Sequence, residues 1–187
     1  TRLFDCIQWQ IENCPKEDMF AAKEEGGIWK KYSSRDIADL VDRFASGLAH
    51  LGIGPNDMTI ESRDKIAVLS NNRPEWMILD LAVQKTGAVL TPIYPTINVN
   101  ELEFILNDAS VKLVFVSDRD LYEKVQSIRA TTPSVKAVYT FNYIQEALYW
   151  KDILAMGTPA DKQRVDEISS RLKGEDLCTI LYTSGTT

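Results

Sequence analysis

Lys65-Ile-Ala-Val-Leu-Ser-Asn-Asn-Arg-Pro-Glu-Trp76, followed by Gly87-Ala-Val-Leu-Thr-Pro-Ile93, is the stretch on which the fold turns. Lys65 to Ser70 is a short apolar run with β-branched residues, of the length of a strand buried on both faces. Pro74 suits a first helical turn, where a missing N–H loses no partner, and Glu75 faces the positive end of the helix dipole. The helix from there to Lys85 is apolar around most of its surface, which predicts packing on more than one side, and Gly87 closes it. Ala88 to Ile93 reads as a second strand, with Pro92 and Pro95 marking its exit into a turn.

The same alternation extends in both directions. Downstream, Asn98 with Glu101 caps a helix whose inner face is Leu102, Ile105, Leu106 and Ala109. Lys112 to Val116 is a third strand, Leu121 to Arg129 a helical stretch, and Ala137 to Thr140 a fourth strand. Upstream, Ser33 and Asp36 form an acidic capping box ahead of Ile37, Leu40, Val41, Phe44, Leu48 and Leu51, a stripe at helical spacing that Gly52 and Gly54-Pro55 end. His50 lies in its last turn, where we read it as structural, serving the exposed carbonyls. Residues 141–173 predict a helix over Ile144 to Leu154, a break at Gly157-Thr-Pro159 and a charged helix turning Val165, Ile168 and Leu172 inward. Leu177 to Tyr182 is a last strand. Parallel neighbours need crossovers, so this order predicts an α/β fold with a mainly parallel, helix-covered sheet.

The chain has 187 residues, 44% hydrophobic and 26% charged, with a net charge of −6. Residues 1–60 and 61–120 each carry −3 and residues 121–187 balance, so no basic footprint for nucleic acid or anionic lipid is present. No apolar run approaches the roughly 20 residues that span a bilayer, and no signal-peptide pattern opens the chain. Cys6, Cys14 and Cys178 are odd in number and widely spaced, which fits a reducing, cytoplasmic setting and predicts ordinary buried or half-buried thiols. Thr1 is not an initiator Met and Thr187 falls within a loop-like run, so we expect a chain cut at both ends.

The segment that carries chemistry is Thr183-Ser184-Gly185-Thr186-Thr187. A strand releasing into small hydroxylic residues offers backbone N–H groups and hydroxyl donors to phosphate oxygens, and Gly185 permits close backbone approach. An ordinary polar turn has the same composition. Neither Gly-x-x-x-x-Gly-Lys nor Gly-x-Gly-x-x-Gly occurs in the chain. Elsewhere, Glu75 beside Arg73 reads as a dipole partner, Asp118 and Asp120 as a solvated turn, and Trp76, Tyr94 and Tyr143 as packing residues.

Leu181 to Thr187 resembles the start of the adenylate-forming signature, which continues Gly-x-Pro-Lys-Gly in that family. Ile66 to Trp76, Gly87 to Thr96, Glu103 to Ala109 and Leu113 to Val116 are similar to the amino-terminal half of AMP-forming acyl-CoA synthetases. Asn-Arg-Pro-Glu-Trp and Pro-Ile-Tyr-Pro-Thr resemble the long-chain fatty acid branch. The resemblance implies that residues 1–187 are the N-terminal portion of an adenylate-forming large domain. It also implies an ATP-dependent fatty acid–CoA ligase in which a carboxylate attacks the α-phosphate of ATP and CoA then displaces AMP. On that resemblance Thr183, Ser184, Gly185, Thr186 and Thr187 bind ATP phosphates, a Thr hydroxyl contacts Mg²⁺ or its waters, and fatty acid, ATP and CoA are the partners. Tyr182 is read as the end of a buried strand.

The signature's Lys, the Mg²⁺-serving Glu, the ribose-binding Asp and the lid Lys are absent from these 187 residues, so no catalytic residue is assigned and the fragment alone is expected to be inactive. Unpaired sheet edges predict self-association. Acyl chain length and peripheral membrane contact of the whole enzyme stay open. So do two alternatives: another adenylate former, such as a shorter-chain or aryl acid–CoA ligase or a carrier-loading domain, and a non-catalytic anion-binding module. Gly-x-Pro-Lys-Gly directly after Thr187 would favour the ligase.

Overall fold

The computed structural model describes residues 1–23, 26–55 and 57–183. In chain order its elements are α1 (Asp5–Asn13), β1 (Phe20–Lys23), β2 (Trp29–Tyr32), α2 (Ser34–His50), β3 (Lys65–Leu69), α3 (Pro74–Lys85), β4 (Val89–Ile93), α4 (Val99–Asp108), β5 (Leu113–Val116), α5 (Arg119–Gln126), a 3-10 turn (Arg129–Thr131), β6 (Ala137–Thr140), β7 (Leu148–Tyr149), α6 (Trp150–Ile153) and α7 (Pro159–Arg171). They fall into two units. One comprises Thr1–Ile53, Asn72–Gly87 and Ile153–Asp176; the other comprises Gly54–Asn71, Ala88–Asp152 and the segment beginning at Leu177.

The first unit is mainly helical. Ser33 caps α2 as its sequence predicts: the Ser33 hydroxyl accepts from Asp36 N–H at 3.1 Å, and the Asp36 carboxylate accepts from Ser33 N–H at 2.8 Å. Ile37, Val41, Phe44 and Leu48 are buried, while Leu51 is exposed. α2 packs against α1, α3 and α7. Gly47 lies against the Ile153 carbonyl and Gly157 against Ser46, so closely that a Cβ at either position would overlap its neighbour. α7 has its own capping box, Thr158 with Asp161. His50 sits 3.0 Å from Asp161 Oδ2, a structural role served through a carboxylate and not through helix carbonyls. That contact and, more strongly, the Thr158 bonds hold the Asp161 carboxyl at about 2. Sequence periodicity did not show α1 or the β1–β2 hairpin, whose exposed strands lack a clean apolar alternation.

The second unit holds a five-stranded, fully parallel sheet in the order β4-β3-β5-β6-β7. β3 is buried at every residue, as expected of a strand paired on both sides. Ala67, Leu69, Ile93, Val114, Val116 and Val138 form one sheet face, which α4 covers with Leu102, Ile105 and Leu106 and α5 with Leu121 and Val125. This α/β arrangement, a parallel sheet flanked by helices, matches the fold class read from the sequence.

Three expectations need correction. The helix predicted over Ile144 to Leu154 is instead β7 followed by the single turn of α6. β6 captures Leu148 and Tyr149 as a fifth strand, and the Thr140 hydroxyl donates to the Leu148 carbonyl at 3.3 Å. Tyr94 and Tyr143 are 79% and 72% exposed. They follow the ends of β4 and β6, and Tyr143, though exposed, still meets the Tyr149 ring edge-on with centroids 5.5 Å apart. Cys6 and Cys14 are exposed and only Cys178 is half-buried, because α1 buries Ile7 alone. Glu75, read as a dipole partner, also takes a two-point ion pair from Arg73, with Nε at 2.9 Å and Nη2 at 3.2 Å.

Candidate phosphate-binding edge of the sheet

The predicted strand over Leu177 to Tyr182 makes one parallel bridge, Leu90 to Thr179, on the outer side of β4. Leu90 N–H donates to the Cys178 carbonyl at 3.0 Å, and Ile180 N–H donates to the Leu90 carbonyl at 2.9 Å. In a parallel ladder the next bond on that side would run from the N–H of residue 92 to the Ile180 carbonyl. Residue 92 is proline, which has no N–H, so the ladder stops there. The expected strand is thereby reduced to a two-bond clasp, reinforced by the Thr179 hydroxyl, which donates to the Leu90 carbonyl at 3.0 Å.

Beyond the clasp the chain is held by a side chain. The Tyr182 hydroxyl donates to Asp108 Oδ2 at 2.5 Å, and its ring meets Phe104 edge-on with centroids 6.4 Å apart. Tyr182 also packs, partly buried, against the apolar cluster under α4 and α5. Burial first, then the hydrogen bond and negative charge of Asp108, push the Tyr182 phenol up to about 12. The expectation of a buried strand end is thus corrected to a half-buried ring on α4.

Because the bridge is parallel, the segment runs in the same direction as β4, and Thr183 emerges at the C-terminal edge of the sheet, where ligands of open α/β sheets bind. Thr183 is exposed. Ser184, Gly185, Thr186 and Thr187, the other four residues of the candidate site, lie outside the described residues. At the same edge Asp118 caps α5, accepting from Leu121 N–H at 3.2 Å and from the Ser117 hydroxyl at 2.5 Å. Among the described residues no three of His, Cys, Asp and Glu come together as metal ligands. Asp108 went unrecognised in the sequence; the signal was a carboxylate in the last turn of a helix, where the dipole disfavours it.

A parallel five-stranded sheet flanked by helices, with Thr183 leaving at its C-terminal edge, defines an open α/β class whose ligands bind at that edge. A family model described as AMP-binding enzyme matches residues 7–187, and the chain belongs to that family. It is 27% identical over 202 residues to long chain acyl-CoA synthetase 4 of Arabidopsis thaliana, an alignment covering 98% of this chain and 28% of that protein. With long-chain-fatty-acid--CoA ligase ACSBG2 of Xenopus laevis it shares 25% over 171 residues, 89% of this chain and 22% of that one. Among solved structures, a long-chain-fatty-acid-CoA ligase (FadD1) from Archaeoglobus fulgidus shares the fold with a TM-score of 0.76 at 21% identity, covering 100% of this chain and 35% of that chain. The chain therefore spans about a quarter to a third of the length of these relatives. Among the described residues no helix is long and apolar enough to cross a membrane.

Proposed function

We propose that residues 1–187 are the N-terminal portion of the large domain of an ATP-dependent long-chain fatty acid–CoA ligase. The observation that carries this reading is the family match over residues 7–187, which takes in the clasped segment and the hydroxyl-rich residues after it. Thr183, Ser184, Gly185, Thr186 and Thr187 then hold the β- and γ-phosphates of ATP through N–H and hydroxyl donors. A carboxylate oxygen of the fatty acid bonds to the α-phosphorus as the bond to pyrophosphate breaks. The donors offset charge growing on that leaving group, which is where fixed dipoles lower a barrier most. CoA sulfur, having lost its proton to solvent, next attacks the acyl carbon, and the carbon–oxygen bond to AMP breaks.

The long-chain part of the proposal rests on the names of the relatives, and a cytoplasmic enzyme meeting its acid at a membrane surface is consistent with it. Pyrophosphate release by the complete enzyme, measured with ATP, Mg²⁺, CoA and acids of graded length, tests it. The expected result is the highest kcat/KM with acids the length of palmitate. A maximum at a short, medium or aryl acid replaces the long-chain assignment, and no release with any acid removes the ligase reading. The 187-residue chain alone is expected to release none above a blank, since the residues that would neutralise the transition state are not in it.

A further inference from the structure

We propose that Asp108 and Tyr182 form a latch that fixes where Thr183, the first of the proposed phosphate-binding residues, leaves the sheet, making both of them positioning residues for ATP; this rests on the function proposed above. Two observations meet here. Asp108 occupies the last turn of α4, where the negative end of the helix dipole repels a carboxylate and where no basic residue compensates. A residue placed against its local preference points to a task elsewhere, and its partner is the phenol of Tyr182, 74 positions along the chain. The second observation is the missing rung of the ladder. Pro92 ends the backbone pairing after Ile180, so the direction in which Thr183 leaves the sheet is set by Tyr182 and not by β4.

The latch ties the exit of the segment to the C-terminal end of α4, one face of which is bedded in the sheet core through Leu102, Ile105 and Leu106. Phe104 borders it on the same helix and limits the ring to an edge-on seat. A hydrogen bond to a carboxylate is stronger than a neutral one, which suits a single contact that must fix a chain direction. Because Tyr182 directly precedes Thr183, movement of its ring is passed on to the first phosphate donor.

The test uses the complete enzyme. Tyr182→Phe and Asp108→Ala are each expected to raise the KM for ATP about 5- to 10-fold, the worth of one such hydrogen bond, without changing the KM for fatty acid. Asp108→Asn, which keeps an acceptor oxygen, should restore most of the affinity, and the double variant should be no worse than either single one. An ATP KM within about twofold of wild type in both single variants, or additive effects in the double, overturns the proposal. Should the wild type use no acid at all, the functional reading fails and the latch is judged on amide exchange of the 187-residue chain. There Tyr182→Phe is expected to speed exchange about tenfold at Ile180, whose N–H is bonded to the Leu90 carbonyl, and an unchanged rate refutes the latch independently of any activity.

Discussion

The two sides of β4 teach different lessons with the same backbone. Toward β3 the strand pairs through five consecutive positions, Lys65 with Val89 to Leu69 with Ile93. Away from β3 it holds its neighbour by one bridge and then stops at Pro92. Alternate residues of a parallel strand bond to opposite sides, and residue 92 falls in the set with Leu90 that faces outward. The proline therefore costs the inner ladder nothing while terminating the outer one. Continuous burial builds the inner side for stability; the outer side is cut short after one bridge, and the chain leaves the sheet there.

The largest effect expected from this contrast lies on the inner side. Phe115 in β5 is fully buried, stacked on Tyr139 at 5.3 Å and on Phe141 at 6.1 Å. Phe115→Ala should cost about 3–5 kcal/mol in urea unfolding, the range for deleting a buried ring and leaving a cavity. Leu181→Ala, at an exposed position of the outer segment, should stay within about 0.5 kcal/mol. Equal losses would erase the distinction between the two sides.

A smaller effect of opposite sign sits within β4. The Thr91 side chain is fully buried, and its hydroxyl has no hydrogen-bond partner among the described residues. A buried, unsatisfied hydroxyl costs about 1–3 kcal/mol, so Thr91→Val, which keeps the shape, should raise stability by about 1 kcal/mol in the same unfolding assay. Pro92→Ala restores the missing N–H. The new amide should be protected from exchange roughly fivefold by the Ile180 carbonyl, the worth of about 1 kcal/mol for one added rung. An unprotected amide there would mean that something besides the proline ends the ladder.

This contrast also explains what the sequence made legible. β3, β4, β5 and β6 were readable because strands buried on both faces are written as apolar runs, and α2 and α4 because Ser33 with Asp36 and Asn98 with Glu101 announce their starts. Ile144 to Leu154 was misread: its apolar residues fit a helical spacing, but the open edge of β6 offered Leu148 and Tyr149 a ladder, and tertiary pairing overrode local pattern. At the candidate site the proline that breaks the ladder was visible in the sequence, yet the significance of Pro92 depends on which side of the strand residue 92 faces. That follows from register, which no single strand contains. The partner of Asp108 was illegible for the same reason, since it lies at the far end of the chain.

The smallest expected effect belongs to the outer side and concerns a proton. Burial, followed by the bond to Asp108 and its charge, raises the Tyr182 phenol from an ordinary value of 10.0 to about 12. A group whose folded pKa lies above its unfolded one contributes stability that is fully present below the unfolded value and is lost as pH rises through the folded one. The latch should accordingly hold unchanged below pH 10 and weaken between about 10 and 12, as ionisation removes the proton that Tyr182 donates and places a phenolate beside a carboxylate. The difference in tyrosinate absorbance between wild type and Tyr182→Phe isolates this one titration from the remaining tyrosines. Its midpoint should fall near 12 in the wild type and move toward 10 in Asp108→Ala, where the hydrogen bond and the opposing charge are both gone. A midpoint near 10 in the wild type itself would mean that the phenol is not donating to Asp108, and past its bridge the outer segment would then be held only by the packing of the Tyr182 ring.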